Sequence, residues 1–291
     1  MKLSHSILIG MCSALIAVAL LRASNFAGST ELQLVSQPAF DRVMRTHTLR
    51  CAYSSVKPYF VTLDTDTNMR RGLAHDIVEQ MGRILGLQIV WAEEVAPSQV
   101  DDNLLAGRED AMCFPLWPSG PMAASLDYTL PVDYMPVYAY ARADDTRFDG
   151  DLSKLNDKNL TIPVIANGAA KDIAEQDFPL AAQYSVTGQP DEAHMMLTVT
   201  QKRADAGFTD PFSGADFMKN NPGTLKYVQN VAPVRVFPES FAVAKGETKL
   251  RDMLNIAINQ LQESGFIAAT LDKYLGEHKG QYFYVTGHWH Q

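Results

Sequence analysis

Apolar positions along the chain fall into two rhythms that alternate. Leu49–Tyr53 (LRCAY), Leu87–Trp91 (LQIVW) and Asp110–Phe114 (DAMCF) are short apolar runs of strand length. Between the first two, Ile77, Met81, Ile84 and Leu85 recur at helical spacing. Asp76 stands where it would accept a hydrogen bond from a free first-turn N–H, and Gly86 supplies a left-handed stop. A further helix closes at Leu104–Gly107. Strand, helix, strand, helix, strand is the signature of a parallel α/β sheet. The pattern then restarts. Tyr138–Ala141 is extended; Leu160–Ile165, Ala182–Thr187 and Asp205–Thr209 read as strands; Gly168 opens a helix over Ala169–Glu175, and another runs His194–Gln201. Leu225–Val228 and Phe241–Ala244 follow as extended segments. The last long element, Leu250–Ser264, is an amphipathic helix with Leu250, Met253, Leu254, Ala257, Ile258 and Leu261 on one face, capped by Gly265 before a shorter helix through Tyr274. Each block has room for its own core. Ligands of open α/β sheets bind beyond the carboxyl ends of the strands, so two such ends facing each other would frame a cleft.

One apolar run does not belong to this alternation. Lys2 and His5 precede Ile7–Leu21, and Arg22 is followed by the small residues Ala23, Ser24, Ala27, Gly28 and Ser29. A positive start, a greasy centre and a small-residue zone describe a secretory signal peptide over residues 1–29. An uncleaved anchor is the alternative, for which about 20 apolar residues are needed. Cys12 has Met11 before it, which does not fit a lipoprotein signal. Export to the periplasm is the expected localisation. It would leave Cys51 and Cys113 as the cysteines of the mature chain, and two thiols in an oxidising compartment can form a bridge.

Composition narrows the function. The 291 residues are 46% hydrophobic and 20% charged, enough for a substantial core and incompatible with wholesale disorder. Lys and Arg total 25 against 33 acids, a formal charge of −8; removal of residues 1–29 takes Lys2 and Arg22 and no acid, deepening it to −10. That balance argues against nucleic acid as a partner, because phosphate binding needs a basic face. No cofactor motif occurs.

Six ordered blocks carry a family resemblance over about Leu49 to Gly276. They are LRCAYSSVKPYF, RGLAHDIVEQMGRILGLQIVW, GREDAMCF, SLDYTLPVDYMPVYAYAR, KRADAGFTD and FAVAKGETKLRDMLNIAINQLQESGFIAATLDKYLG. Together they resemble the type II periplasmic solute-binding proteins, specifically the family 3 polar amino-acid receptors of ABC transporters. The resemblance implies a two-lobed α/β fold, each lobe a mixed sheet flanked by helices. Residues 30–138 plus 240–279 would form lobe 1, 139–239 lobe 2 and 280–291 a C-terminal tail. Two hinge strands near Val137–Ala141 and Glu239–Ala242 would join the lobes. It further implies a monomer that closes on a small-molecule ligand and is then recognised by a membrane permease.

The same resemblance nominates a pocket. Receptors of this group grip the ligand carboxylate with an arginine a few residues past the third strand. Aligned without gaps between Asp110 and Pro131, that position is Met122, and Phe114–Ser125, including Leu116 and Trp117, holds no cation. A plain α-amino acid is therefore disfavoured as ligand. Asp210 matches the aspartate that holds the ligand ammonium, against the alternative of a turn residue before Pro211. Gly168 matches a ligand-facing helix entry whose free N–H groups attract anions. Ala169 and Ala170 replace the family's hydroxyls there, and Asn167 either compensates or serves the turn. Ser54 stands where many members have an acid. Lys57 stands where an aromatic often stacks, or is a solvated loop charge. Trp91 is either a pocket wall or strand-end core. The expected pocket is apolar and aromatic on one side. Cys51 and Cys113 lie on strands that neighbour each other in this fold, as a bridge or as buried thiols.

Three functions remain. The first is non-catalytic solute capture, for an ABC importer. The second is an accessory or sensory role toward a periplasmic partner protein, for example a dehydrogenase system. The third is a dehydratase-like enzyme on the same scaffold, with Asp210, Glu239 and Lys57 as acid–base candidates that no catalytic pattern links. In the tail, His288 and His290 flank Trp289 with His278 nearby; a His-x-His pair needs a further ligand to hold a metal, so no metal site is assigned.

Overall fold

The structure is a computed structural model that describes residues 37–55, 60–64, 66–67, 69–96, 99–166, 168–188, 191–276 and 283–284. The signal segment, Lys57, Asn167 and the tail histidines lie outside them. No described helix is long and apolar enough to cross a membrane.

The described residues begin with helix α1 (Ala39–Thr46), β1 (Thr48–Tyr53), the hairpin β2 (Thr62–Asp64) and β3 (Met69–Arg71), helix α2 (Leu73–Leu85) and β4 (Gln88–Glu94). Helix α3 (Val100–Leu105), β5 (Ala111–Leu116) and the 17-residue β6 (Leu126–Arg142) follow. Next come β7 (Thr161–Val164), α4 (Ala169–Asp177), β8 (Ala182–Ser185), α5 (Glu192–Thr200), β9 (Ala206–Thr209), α6 (Pro211–Asn220) and β10 (Leu225–Tyr227). The chain returns through β11 (Arg235–Ala244), α7 (Thr248–Glu263) and α8 (Phe266–Leu275) to β12 (Phe283–Tyr284).

The strand order is β10-β6-β11-β5-β1-β4, and β9 and β12 also pair with β6. β1 runs parallel to β4 and β5, while β11 runs antiparallel to β5 and β6. β7 and β8 form a separate parallel pair. The architecture is two-lobed: the amino-terminal half of β6 belongs with β11, and its carboxyl-terminal end, Tyr138–Ala141, pairs with β9. β5 is buried along nearly its whole length (AMCFPL), the run expected of a strand covered on both faces.

Several sequence expectations shift at the element ends. α2 starts at Leu73 with Gly72 as its N-cap, so Asp76 sits in the first turn instead of capping it. Its carboxylate accepts from Lys273 and the Tyr274 hydroxyl on α8, at 2.7 and 2.8 Å, and so pins the two helices together. Gly86 does end α2, at φ 66°. On α7, Leu250, Leu254, Ala257, Ile258 and Leu261 are buried, while Met253 is only partly so. Helices α1 and α6, the β2–β3 hairpin and the full length of β6 were not legible as elements.

Two tethers lock the first sheet. Cys51 on β1 and Cys113 on β5 form a disulfide, with Cα atoms 5.3 Å apart. Asp110, its side chain fully buried at the start of β5, accepts from Arg42 Nε (3.0 Å), the Arg50 backbone N–H (2.7 Å) and Arg50 Nη2 (2.9 Å). One carboxylate therefore joins α1, β1 and β5.

Candidate functional site

Ser54, Leu116, Trp117, Gly168 and Asp210 lie at or just past the ends of β1, β5, β7 and β9, and each end is built differently. Ser54 directly follows β1 and is fully buried. Phe114 is also fully buried, its ring 6.0 Å from that of Phe60, so it packs in the core. Leu116 ends β5, half-buried and opposite Ser240 of β11. Trp117, one residue on, packs its ring 5.8 Å from Phe237 of β11. This aromatic pair joins the carboxyl end of β5 to the strand that runs on toward the other lobe. Phe237 carries no signal in sequence, because the apolar run of its strand begins only at Phe241.

Met122 lies in a short 3-10 turn, Pro121–Ala124, half-buried against the core. Trp91 takes the flank of the first sheet. Its Nε1 donates to Glu79 Oε1 at 2.8 Å and its ring stacks on His75 at 5.3 Å, both on α2, with the edge of Tyr53 6.2 Å away. An indole N–H so occupied favours the core alternative weighed for this residue.

In the second lobe, Gly168 is the N-cap of α4 at φ −99° and ψ 156°, an ordinary extended conformation. A Cβ there would come 3.2 Å from the carbonyl oxygen of Ile165, the residue after β7, a tight contact that glycine avoids. Ala169 opens the helix half-buried and Ala170 is buried.

Asp210 follows β9 and is 2% exposed. It is the N-cap of α6: Oδ1 accepts from the Phe212 and Ser213 N–H groups at 3.0 Å each, and Oδ2 from the Ser213 hydroxyl at 2.7 Å. Pro211 at the first helical position suits this start. The Tyr140 hydroxyl donates to the Asp210 carbonyl oxygen at 3.2 Å, and burial raises its pKa far above the ordinary phenol range. It stays a donor at any physiological pH. Gly214 makes this contact sterically possible, since a Cβ there would fall 2.0 Å from the Tyr140 oxygen. The cap holds the Asp210 carboxylate at the end of β9.

Alongside α6 lies a groove of about 430 Å³ whose lining includes Asp191, His194, Leu197, Phe212, Asp216 and Asn220. None of these residues was nominated from sequence. Two further acids, Asp133 and Glu239, are nearly fully buried and directly opposite each other on β6 and β11. Glu239 was weighed as an acid–base candidate; Asp133 was missed. Among the described residues no group of three or more His, Cys, Asp or Glu is placed to hold a metal ion.

A family model described as bacterial extracellular solute-binding proteins, family 3, matches residues 49–277. No curated protein sequence matches the chain. Among solved structures, the ancestral amino acid-binding protein AncCDT-1, a precursor of cyclohexadienyl dehydratase, aligns at TM-score 0.66 and 18% identity, covering 82% of this chain and 99% of that one. A mutant of ArgBP from T. maritima aligns at 0.62 and 19%, covering 81% and 99%. The periplasmic domain of BvgS from B. pertussis aligns at 0.66 and 18%, covering 83% of this chain and 45% of that one. At these identities the likeness is one of fold.

Proposed function

The chain belongs to the bacterial extracellular solute-binding proteins, family 3, and from that premise we propose that it captures a small polar or amphipathic solute between its lobes, in the periplasm, for an ABC importer. The observation that carries this reading is the placement of Ser54, Trp117, Gly168 and Asp210. Ser54 and Trp117 directly follow the parallel strands β1 and β5, Gly168 follows β7, which runs parallel to β8, and Asp210 directly follows β9, which pairs antiparallel with β6; the region beyond strand ends is where open α/β sheets bind ligands. Residues 30–138 plus 240–279 and 139–239 are the two lobes of this reading, and the β6–β11 ribbon is its pivot.

The chemistry of the proposed pocket is uneven. On one side Trp117 and Phe237 offer an apolar wall. On the other Asp210 is an acid, and α4 presents the first-turn N–H groups that helix starts leave open. With Met122 at the position of the family's arginine, no fork waits for a carboxylate. The solute class that fits is one recognised through an apolar body and a positive or hydrogen-bonding group, in place of a free α-carboxylate.

Thermal denaturation of the mature chain against a panel of amino acids, amines, organic acids and aromatic compounds tests the proposal. A captured solute at 100 times its dissociation constant stabilises by about 2.7 kcal/mol, and amines with an apolar body are expected to give the largest shift. A panel with no shift anywhere would favour the accessory or sensory reading. That reading is supported by the departure at Met122 and by the BvgS periplasmic domain among the structures of like fold.

A further inference from the structure

The ribbon between the lobes is thin, and a segment outside the family match lies on it. β11 pairs with β5 at Ser240 and Ala242, and β9 joins β6 only from Tyr138 onward. Between these limits, residues 133–137 of β6 and 235–239 of β11 have each other as strand partners. This stretch contains Pro136 and Pro238, opposite Val236 and Tyr134. Proline has no N–H to give to a ladder, so the ribbon is poorer in potential rungs than an ordinary strand pair. Among the described residues one other strand touches it. β12 pairs antiparallel with the free edge of β6, Phe283 opposite Tyr134 and Tyr284 opposite Asp133. It follows the end of α8 at Leu275, and it lies past residue 277, where the family match stops.

We propose that β12 is a strap on the pivot: the carboxyl-terminal segment adds a third strand to the ribbon at its first-lobe end and resists a change in its bend. A strand bonded along one edge must shear or detach when the ribbon flexes, so each rung it makes opposes reorientation of the lobes. α8 anchors the strap, since Tyr274 and Lys273 bind Asp76 of α2 within the first lobe. At the other end of the ribbon, Arg235 holds Asp177 at the end of α4 through two bonds of 2.8 Å. The free length of the pivot is thereby confined to a few residues around Pro136 and Pro238. The functional consequence rests on the closing-lobe reading above, but the pairing itself is measured without any solute, so failure of one is distinguishable from failure of the other.

Hydrogen exchange read by mass spectrometry on three forms of the mature chain tests the strap: intact, ending at Gly276, and intact with Phe283→Pro plus Tyr284→Pro. Loss of two or so rungs is expected to speed exchange of peptides covering 133–137 by roughly tenfold in both altered forms. Peptides of β1 and β5 should keep their protection. Unchanged exchange at 133–137 in the altered forms would overturn the proposal. Protection lost throughout the molecule in both forms would overturn it as well, because β12 would then belong to the core of the fold and not to its pivot.

Discussion

The first-lobe sheet and the ribbon that leaves it are made from the same strands, yet they are held in opposite ways. In the sheet, β1 and β5 are tied by the Cys51–Cys113 disulfide and by Asp110, whose carboxylate gathers α1, β1 and β5. In the ribbon, β6 and β11 run on beyond β5 with the two-residue β12 on the edge of β6, carry two prolines and put Asp133 opposite Glu239 with little exposure to water. Covalent and ionic tethers are spent where the structure must keep its shape. The ribbon carries neither a disulfide nor a shared buried carboxylate of this kind, and in the proposed reading it is the part that bends.

Substitutions on the platform side should cost the most. Removing the disulfide with Cys51→Ser and Cys113→Ser frees a loop with a separation of 62 residues. On the chain-entropy account this lowers stability by about 4 kcal/mol, read as a fall in the denaturant midpoint that reductant does not deepen further. Asp110→Ala leaves the Arg50 N–H and two guanidinium groups without their shared acceptor. A loss of about 3 kcal/mol is expected by the same measurement. A loss below about 1 kcal/mol would show that this network is not a tether.

Two smaller effects lie nearer the proposed site. Gly214→Ala must displace the Tyr140 ring, since the new methyl would overlap its oxygen, at a cost of about 1–3 kcal/mol. Its readout is a lower melting temperature. Met122→Arg sits in a half-buried surface turn and should change stability little. It is expected to improve binding of carboxylates in the solute panel, measured by calorimetry. Unchanged or weaker affinity for acids would show that residue 122 does not stand at the carboxylate position.

The smallest expected effect concerns pH. Burial, and then the neighbouring Glu93 carboxylate, raise the pKa of Glu109, while Arg50 and Arg108 oppose the shift. The folded chain therefore holds this proton more tightly than the unfolded one. The associated stability is full below the ordinary carboxylate pKa and is lost as pH rises through the raised value. Glu109→Gln should flatten that decline, seen as a shallower fall in melting temperature on moving from acid toward neutral pH.

Much of the platform was legible in sequence because its signals are local. The runs LRCAY, LQIVW and DAMCF are short, apolar and bounded by turn residues, and β1, β4 and β5 appear within a few residues of them. The ribbon was not legible, for a physical reason. Leu126–Arg142 contains Pro131 and Pro136, and Arg235–Ala244 contains Pro238, residues that argue against a strand when read alone. Partners distant in sequence override that local preference. The same holds for the candidate site. Asp210 is nominated by its match to the family's aspartate, while the local pattern of an Asp before Pro211 points to the capping role it has on α6. Phe237, Asp133 and the α5–α6 groove depend on contacts that only the folded chain creates. Phe114 and Trp91 are aromatic residues at strand ends whose rings pack against Phe60 and His75, contacts that a local pattern does not reveal.

In the proposed reading the two lobes close on a solute by bending the ribbon, which small-angle X-ray scattering on residues 30–291 checks, with and without a saturating amount of whichever panel compound raises the melting temperature most. A smaller radius of gyration in the presence of the compound is the expected result. An identical scattering curve with the compound fully bound would contradict it.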